Sequence, residues 1–186
     1  MAFTVVLDAC VLIPGSLRDI LLIAAERYLF TIQLTDDILD EVSRNLIKQG
    51  LSEDKARRII SAIHTSFEDA IITRHKPLIE MMPINTKDRH VLAAAVACKA
   101  DIIVTQNIKD FPEKLLSPYE VEALTPDRFL IDLYNTDPMQ VVEVIFQQAS
   151  NLRHPPMTVS EVLDKLKLHI PEFVKLVRDE HGFPTT

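Results

Sequence analysis

The chain has 186 residues and a mass of 21.1 kDa, which fits one domain with a small appendage. Hydrophobic residues make up 47% of it and charged residues 25%, so a buried core is available and intrinsic disorder is excluded. Three glycines are too few for the glycine-rich phosphate loops, and two cysteines exclude a four-cysteine zinc site. The formal net charge of −7 excludes general nucleic-acid binding by bulk attraction.

The sequence also gives an expectation about the cellular location of the protein. No run approaches 18 apolar residues, and the N-terminus has neither the basic start nor the small-residue cleavage site of a secretory signal. We therefore expect a cytoplasmic protein without a membrane association. Cys10 and Cys98 are expected to be small buried residues rather than reactive thiols.

Strands and helices are predicted to alternate along the first two thirds of the chain. Apolar runs predict strands at 3–7 and 101–105, with weaker candidates at 70–73 and 121–124, and a short segment over 30–34 separates two predicted helices. Capping residues and helical spacing predict helices that begin at Ser16, Thr35, Ser52 and Thr86. This alternation favours an α/β fold in which helices cover both faces of a mostly parallel sheet.

Only helices are predicted from Thr125 onward. Thr125 and Asp137 each stand before a proline, and Thr158 with Glu161 has the spacing of a capping box. Their apolar stripes are expected to pack within the protein; the alternative is that 157–178 docks on a second protomer or another partner. We predict a main domain over 1–134 and a C-terminal helical extension over 135–186.

Four acidic residues occupy positions where α/β folds build sites. Asp8 ends the first strand and Asp110 follows the 101–105 strand, while Glu41 borders the apolar stripe of its helix and Asp88 lies on the apolar side of a first helical turn. Each has an ordinary alternative, as a turn or capping aspartate, an exposed glutamate or a partner of the helix dipole. Because parallel sheets bind ligands beyond the carboxyl ends of their strands, we expect all four to meet in one crevice.

Such a crevice needs cations. Two unit charges 5 Å apart repel by roughly 3 kcal/mol at an effective dielectric constant near 20, so four unneutralised carboxylates would be untenable. Ligation by oxygen alone suits Mg²⁺ or Mn²⁺. The residues therefore predict a divalent metal site.

Four segments carry a resemblance to a known family. They surround the four acids, at Val6–Leu12, Ile38–Val42, Lys87–Ala95 and Ile103–Phe111. Together they resemble the PIN-domain ribonucleases, and in particular the VapC-like toxins of bacterial and archaeal toxin–antitoxin pairs. The resemblance covers about residues 3 to 130.

The resemblance implies a three-layer α/β/α sandwich, metal-dependent endoribonuclease activity, a homodimer, and an antitoxin that blocks the site. It implies that Asp8, Glu41, Asp88 and Asp110 are the catalytic residues and hold Mg²⁺ or Mn²⁺, with Asn107 and Thr105 orienting ligands. The metal would activate water for in-line attack on RNA, with 5′-phosphate and 3′-hydroxyl ends as products.

RNA that approaches an acidic protein needs local cations. Five basic residues near the motifs are predicted to contact its phosphates, namely Arg18, Arg44, Lys87, Arg89 and Lys109. For each, the alternative is an ordinary solvated surface cation.

Two other functions stay open. Many relatives have a hydroxyl residue where this chain has Ala9 and an aspartate where it has Asn107, which favours a catalytically weak PIN fold that serves as a partner-binding module. A phospho-receiver domain would also be α/β with an acidic pocket. It ranks last, because it needs paired acids at the first strand exit and Asp8 stands alone there.

Overall fold

The computed structural model describes residues 3–185. These residues form two compact units, which we call the sheet unit (3–13 and 31–124) and the helical unit (14–30 and 125–185). Each unit is considered by itself below.

The sheet unit is built on four parallel strands. They are β1 (Thr4–Leu7), β2 (Thr31–Gln33), β3 (Ile102–Val104) and β4 (Glu122–Leu124), in the spatial order β2-β1-β3-β4. The two strands predicted most strongly are therefore present, and the weaker candidate at 121–124 forms an edge strand. Strand β2 lies in the 30–34 segment, for which no strand was predicted. Leu7 pairs with Val104, and the Asp8 amide donates to the Val104 carbonyl at 3.1 Å. The carboxyl ends of β1 and β3 thus lie side by side.

Over residues 3–185 the chain forms ten α-helices. They are α1 (Ala9–Leu12), α2 (Gly15–Glu26), α3 (Asp36–Lys48), α4 (Glu53–Ser66), α5 (Arg89–Cys98), α6 (Glu113–Leu116), α7 (Pro126–Thr136), α8 (Pro138–Asn151), α9 (Val159–Leu166) and α10 (Pro171–His181). None of these helices combines the length and apolar character that a membrane span requires. The predicted α/β fold class, of the three-layer α/β/α kind with a C-terminal helical region, is confirmed.

Helices α3 and α5 carry the acids of interest. Thr35 caps α3 as predicted, its hydroxyl accepting from the Ile38 amide at 3.1 Å. Helix α5 packs on β1 and β3 and also contacts α3. Five buried residues in a row, Val91 to Ala95, let α5 lie close to the strands because three of them are alanines. The sheet therefore holds the start of α5 near the end of β1.

Three local predictions were wrong. The helix expected from Thr86 begins at Arg89, because Asp88 donates its amide to the Asn85 carbonyl at 2.9 Å and a turn over 86–88 comes first. Ser16 is not a cap, since α2 begins one residue earlier, behind Pro14. Residues 70–73 form no strand; Ile71 makes only an isolated parallel bridge to Leu34.

The helical unit consists of α2 and α7 to α10. Thr125, Asp137 and the Thr158–Glu161 capping box all make the predicted contacts with the amides of their helices. The apolar stripe of α9 and most of that of α8 are buried within this unit, where both helices contact α2 and each other; Phe146 of α8 is exposed. Local signals therefore determine where these helices begin. The division of the chain at residue 134 stays a prediction.

Candidate active site

The site begins where β1 and β3 end. Asp8 is only 5% exposed and Thr105 is fully buried. The Thr105 hydroxyl donates to Asp8 Oδ2 at 2.7 Å, and the same hydroxyl oxygen accepts from the Asn107 amide at 3.0 Å. Of the two predicted ligand-orienting residues, Thr105 thus contacts Asp8 through its side chain, and Asn107 contacts Thr105 through its backbone amide.

Cys10 is a part of the site that sequence reasoning missed. Its thiol donates to Asp8 Oδ2 at 3.1 Å, and its sulfur accepts from the Gln106 amide at 3.2 Å. Burial, together with the nearby Asp8 charge, raises the pKa of the Cys10 thiol to about 12, so the group stays protonated and serves as a donor. The available signal was its place two residues after Asp8, within the short α1.

Glu41 projects from α3 toward α5. Its Oε2 lies 3.2 Å from His90 Nε2, and its side chain is 37% exposed. The hydrogen bond from His90 is the main reason that the pKa of Glu41 lies below its ordinary value; burial opposes this shift, while Arg44 and Lys87 support it. His90, two residues after Asp88, is the second residue that sequence analysis missed. It ties the helix of Glu41 to the helix that follows Asp88.

Asp88 is the least satisfied of the four acids. It is 8% exposed, precedes α5 as its N-cap residue, and makes no side-chain capping bond. Its Oδ2 is buried without a hydrogen-bond partner. Burial raises the pKa of Asp88, and the charges of Asp110, Asp8 and Glu41 raise it further, against the attraction of Lys87. The carboxylates are close enough to destabilise the charged form of this one.

Asp110 ends a short 3₁₀ helix over Ile108–Asp110, after β3. Its Oδ2 accepts from Lys87 Nζ at 2.7 Å, and the same ammonium lies 3.7 Å from Asp88 Oδ2. The four predicted acids therefore gather at one end of the sheet, with the Lys87 ammonium between two of them.

The predicted phosphate-binding cations are placed differently from one another. Arg44 and Lys109 are exposed side chains of the sheet unit. Arg89 is engaged with the 76–84 segment, donating to the Ile84 carbonyl at 3.2 Å and to Glu80 at 3.1 Å. Arg18 belongs to the helical unit, where it lies 3.7 Å from Asp19.

The donor set suits a hard divalent cation. Four carboxylates offer oxygen ligands, and a buried oxygen of Asp88 has no hydrogen-bond partner. Among residues 3–185, however, no three acidic, histidine or cysteine side chains are already arranged as a metal centre. The residues fit such an ion in their chemistry, and binding would have to draw them together.

Comparisons with known proteins match both parts of the chain. Residues 4–109 match a family model described as a PIN domain, and residues 126–179 match one described as the VapC50 C-terminal domain. The chain is 40% identical over 104 residues to a protein of Mycobacterium tuberculosis (strain ATCC 25618 / H37Rv) named "Putative ribonuclease VapC50". The alignment covers 56% of this chain and 62% of that relative, which is less than two thirds of its length.

No solved structure is significantly similar to the chain. The family is shown by the PIN-domain match, which includes the strand of Asp8 and the helices that carry Glu41 and follow Asp88. Because this match spans more than half of the sequence, the chain belongs to the PIN-domain family.

Proposed function

We propose that this protein is a metal-dependent endoribonuclease that hydrolyses RNA phosphodiester bonds in the cytoplasm. The observation that carries the proposal is the buried Asp88 carboxylate, whose Oδ2 lacks a hydrogen-bond partner while Asp8, Glu41 and Asp110 repel it. A protein keeps such an arrangement at a cost in stability, which is typical of a functional site. The name of the mycobacterial relative points to the same class of reaction.

The four acids would hold Mg²⁺ or Mn²⁺, with Asp8, Glu41 and Asp88 as the main ligands and Asp110 binding directly or through water. When bound, the ion supplies activation of water and stabilisation of the charge that develops on the phosphate.

Residues around the acids hold them in position. Thr105 and Cys10 both donate to the same oxygen of Asp8, which restrains the rotation of that carboxylate. His90 restrains Glu41 in the same way from α5. This pre-organisation lowers the entropy that is lost when ligand and substrate are positioned. Because the raised pKa of the Cys10 thiol disfavours the thiolate, we propose water rather than this cysteine as the attacking group.

RNA is drawn to the site by local charge. Arg44, Lys87 and Lys109 are exposed cations of the sheet unit, and we propose that they bind backbone phosphates; Arg18 and Arg89 stay candidates for the same role. Cleavage should therefore slow as salt rises, because each phosphate contact releases a counterion. A rate indifferent to salt would contradict this part of the proposal.

We further propose that the protein is the toxin of a toxin–antitoxin pair, that it forms a homodimer, and that its antitoxin covers the acidic site. Support comes from the two family models, which match a PIN domain and a VapC50 C-terminal domain in order along one chain. Co-expression with the protein encoded next to its gene, followed by size-exclusion chromatography, tests both partners. A lasting monomer that binds no such protein would contradict them.

The test of activity is RNA cleavage with Mn²⁺ by wild type, Asp8→Asn and Asp88→Asn, with calorimetric Mn²⁺ titration of the same proteins. Both variants should lose cleavage and bind Mn²⁺ more weakly. Asp40→Asn is the matched control, because it removes the same charge from an exposed position of α3, next to Glu41. Equal cleavage by wild type and Asp88→Asn would refute the proposal.

A PIN fold that binds a partner without useful nuclease activity is the second candidate. It is favoured by Lys87, whose ammonium pairs with Asp110 and partly offsets the charge of Asp88 without a metal ion. This function predicts that wild type cuts no RNA with either ion while a partner still binds. The same cleavage assay therefore separates the two functions.

A further inference from the structure

A lysine lies inside the acidic cluster. Lys87 Nζ forms a 2.7 Å ion pair with Asp110 Oδ2 and lies 3.7 Å from Asp88 Oδ2. These two oxygens belong to carboxylates that the proposed function assigns to a divalent ion. The ammonium therefore stands next to the groups that the ion would need.

The two contacts differ in kind. The contact with Asp110 is a short, charge-assisted hydrogen bond, whereas the one with Asp88 is too long for a hydrogen bond. Asp88 Oδ2 accordingly has no hydrogen-bond partner. Lys87 thus reduces the repulsion between the two acids but gives Asp88 Oδ2 no hydrogen bond. That oxygen can therefore bind a ligand that approaches more closely than the ammonium does.

The Lys87 ammonium can also move away from the acidic cluster. It lies in the turn over 86–88, outside α5, and its side chain is 59% exposed. The long, flexible lysine stem can swing into solvent without moving the helix or Asp88. A strongly hydrated ammonium loses little free energy when it exchanges the partly exposed carboxylate of Asp110 for water or for a phosphate.

We propose that Lys87 is the resident counter-cation of the metal-free cleft, and that a divalent ion displaces its ammonium group. This inference rests on the proposed function, since it assumes that the four acids bind such an ion. Displacement leaves the ammonium beside the occupied cleft, where it can pair with an RNA phosphate. One residue therefore balances charge before the ion arrives and binds substrate afterwards.

Calorimetric Mn²⁺ titration of Lys87→Met, Lys87→Arg and wild type is the first test. If the ammonium competes with the ion, Lys87→Met should bind Mn²⁺ about tenfold more tightly, given the repulsion between a unit and a double charge a few ångströms apart in a water-exposed cleft. Lys87→Arg keeps the charge and should behave like wild type. Lys109→Met removes a nearby charge that makes no ion pair in the described residues, and should have a smaller effect.

A second test observes the displacement itself. Wild-type protein is treated with an amine-reactive reagent with and without Mn²⁺, and the labelling of Lys87 is measured by mass spectrometry with Lys109 as the internal reference. Displacement predicts that Mn²⁺ increases labelling of Lys87 relative to Lys109. Unchanged or reduced labelling would overturn the inference.

The outcomes separate the two proposals. Mn²⁺ binding that is equal or weaker in Lys87→Met overturns the counter-cation role alone, because the site then binds metal without competition. No Mn²⁺ binding by any variant overturns the metal-dependent function and this inference with it. In metal-free protein, Lys87→Met should also melt at a lower temperature than Lys87→Arg, since its acids then repel without a counter-charge.

Discussion

Replacing Thr105 with valine is the sharpest probe of how the fold positions Asp8. The change keeps the shape of a fully buried side chain and removes one hydroxyl, which donates to Asp8 Oδ2 and accepts from the Asn107 amide. A hydrogen bond to a charged group contributes about 1.5–3 kcal/mol and a neutral one about 1 kcal/mol. The Cys10 thiol still donates to Asp8, so we expect a net loss of about 2–3 kcal/mol in the free energy of unfolding.

Urea denaturation at pH 7 in the presence of a chelator measures this loss. Thr105→Ser is the matched control, because it keeps the hydroxyl and loses only a methyl group, at about 1 kcal/mol. Thr105→Val should therefore be the less stable variant, and with Mn²⁺ it should also cut RNA more slowly than Thr105→Ser. If Thr105→Val is as stable as wild type, the Thr105 hydroxyl does not hold Asp8 in position.

Three further predictions concern other parts of the protein. Because folding raises the pKa of Asp88, this group stabilises the folded state at low pH. The contribution is lost as the pH rises from the pKa of the unfolded state, near 3.8, through the pKa of the folded state. Asp88→Asn should thus melt no lower than wild type at pH 7 in chelator while losing Mn²⁺ binding; a clear drop in melting temperature would contradict this. For Glu41 the sign is opposite, because folding lowers its pKa. Its ionised carboxylate stabilises the fold at pH values above the pKa of the unfolded state, and this contribution is lost as the pH falls. His90→Phe should raise the pKa of Glu41 in a carboxyl-carbon NMR titration of the metal-free protein, and an unchanged pKa would show that His90 is not its cause. Thr158→Ala removes one half of the α9 capping box and should cost about 1 kcal/mol in denaturation, whereas Ser160→Ala, two residues later, should cost much less. Equal losses in these two variants would refute the capping argument.

Much of the fold could be predicted because its signals are local. Apolar runs marked β1 and β3, and capping residues such as Thr35 and Thr125 made the contacts expected of them. The meeting of Asp8 with acids from distant segments could be expected from one general rule, that parallel strands end at the same edge of a sheet. Their roles as metal ligands and catalysts stay proposals.

Other features of the site could not be predicted, because they depend on contacts between distant segments. Asp8 and Cys10 each have one partner just after β3, nearly one hundred residues away: Thr105 donates to Asp8, and the Gln106 amide donates to Cys10. His90 meets Glu41 only because α5 packs against α3. The late start of α5 has a local cause instead, because the hydrogen bond from the Asp88 amide to the Asn85 carbonyl forms a turn where a cap at Thr86 was expected.

By itself the sequence determined the kinds of element, most of their boundaries and the acidic character of the cleft, since hydrophobic period, caps and charge are properties of short segments. Only the tertiary structure decided how each acid is balanced: Asp8 by two donors, Glu41 by a histidine, Asp110 by Lys87, and Asp88 by the more distant charge of the same lysine, with no hydrogen-bond partner for its Oδ2. The physical reason is that a buried carboxylate takes its protonation and its partners from groups that packing brings close, whatever their separation along the chain.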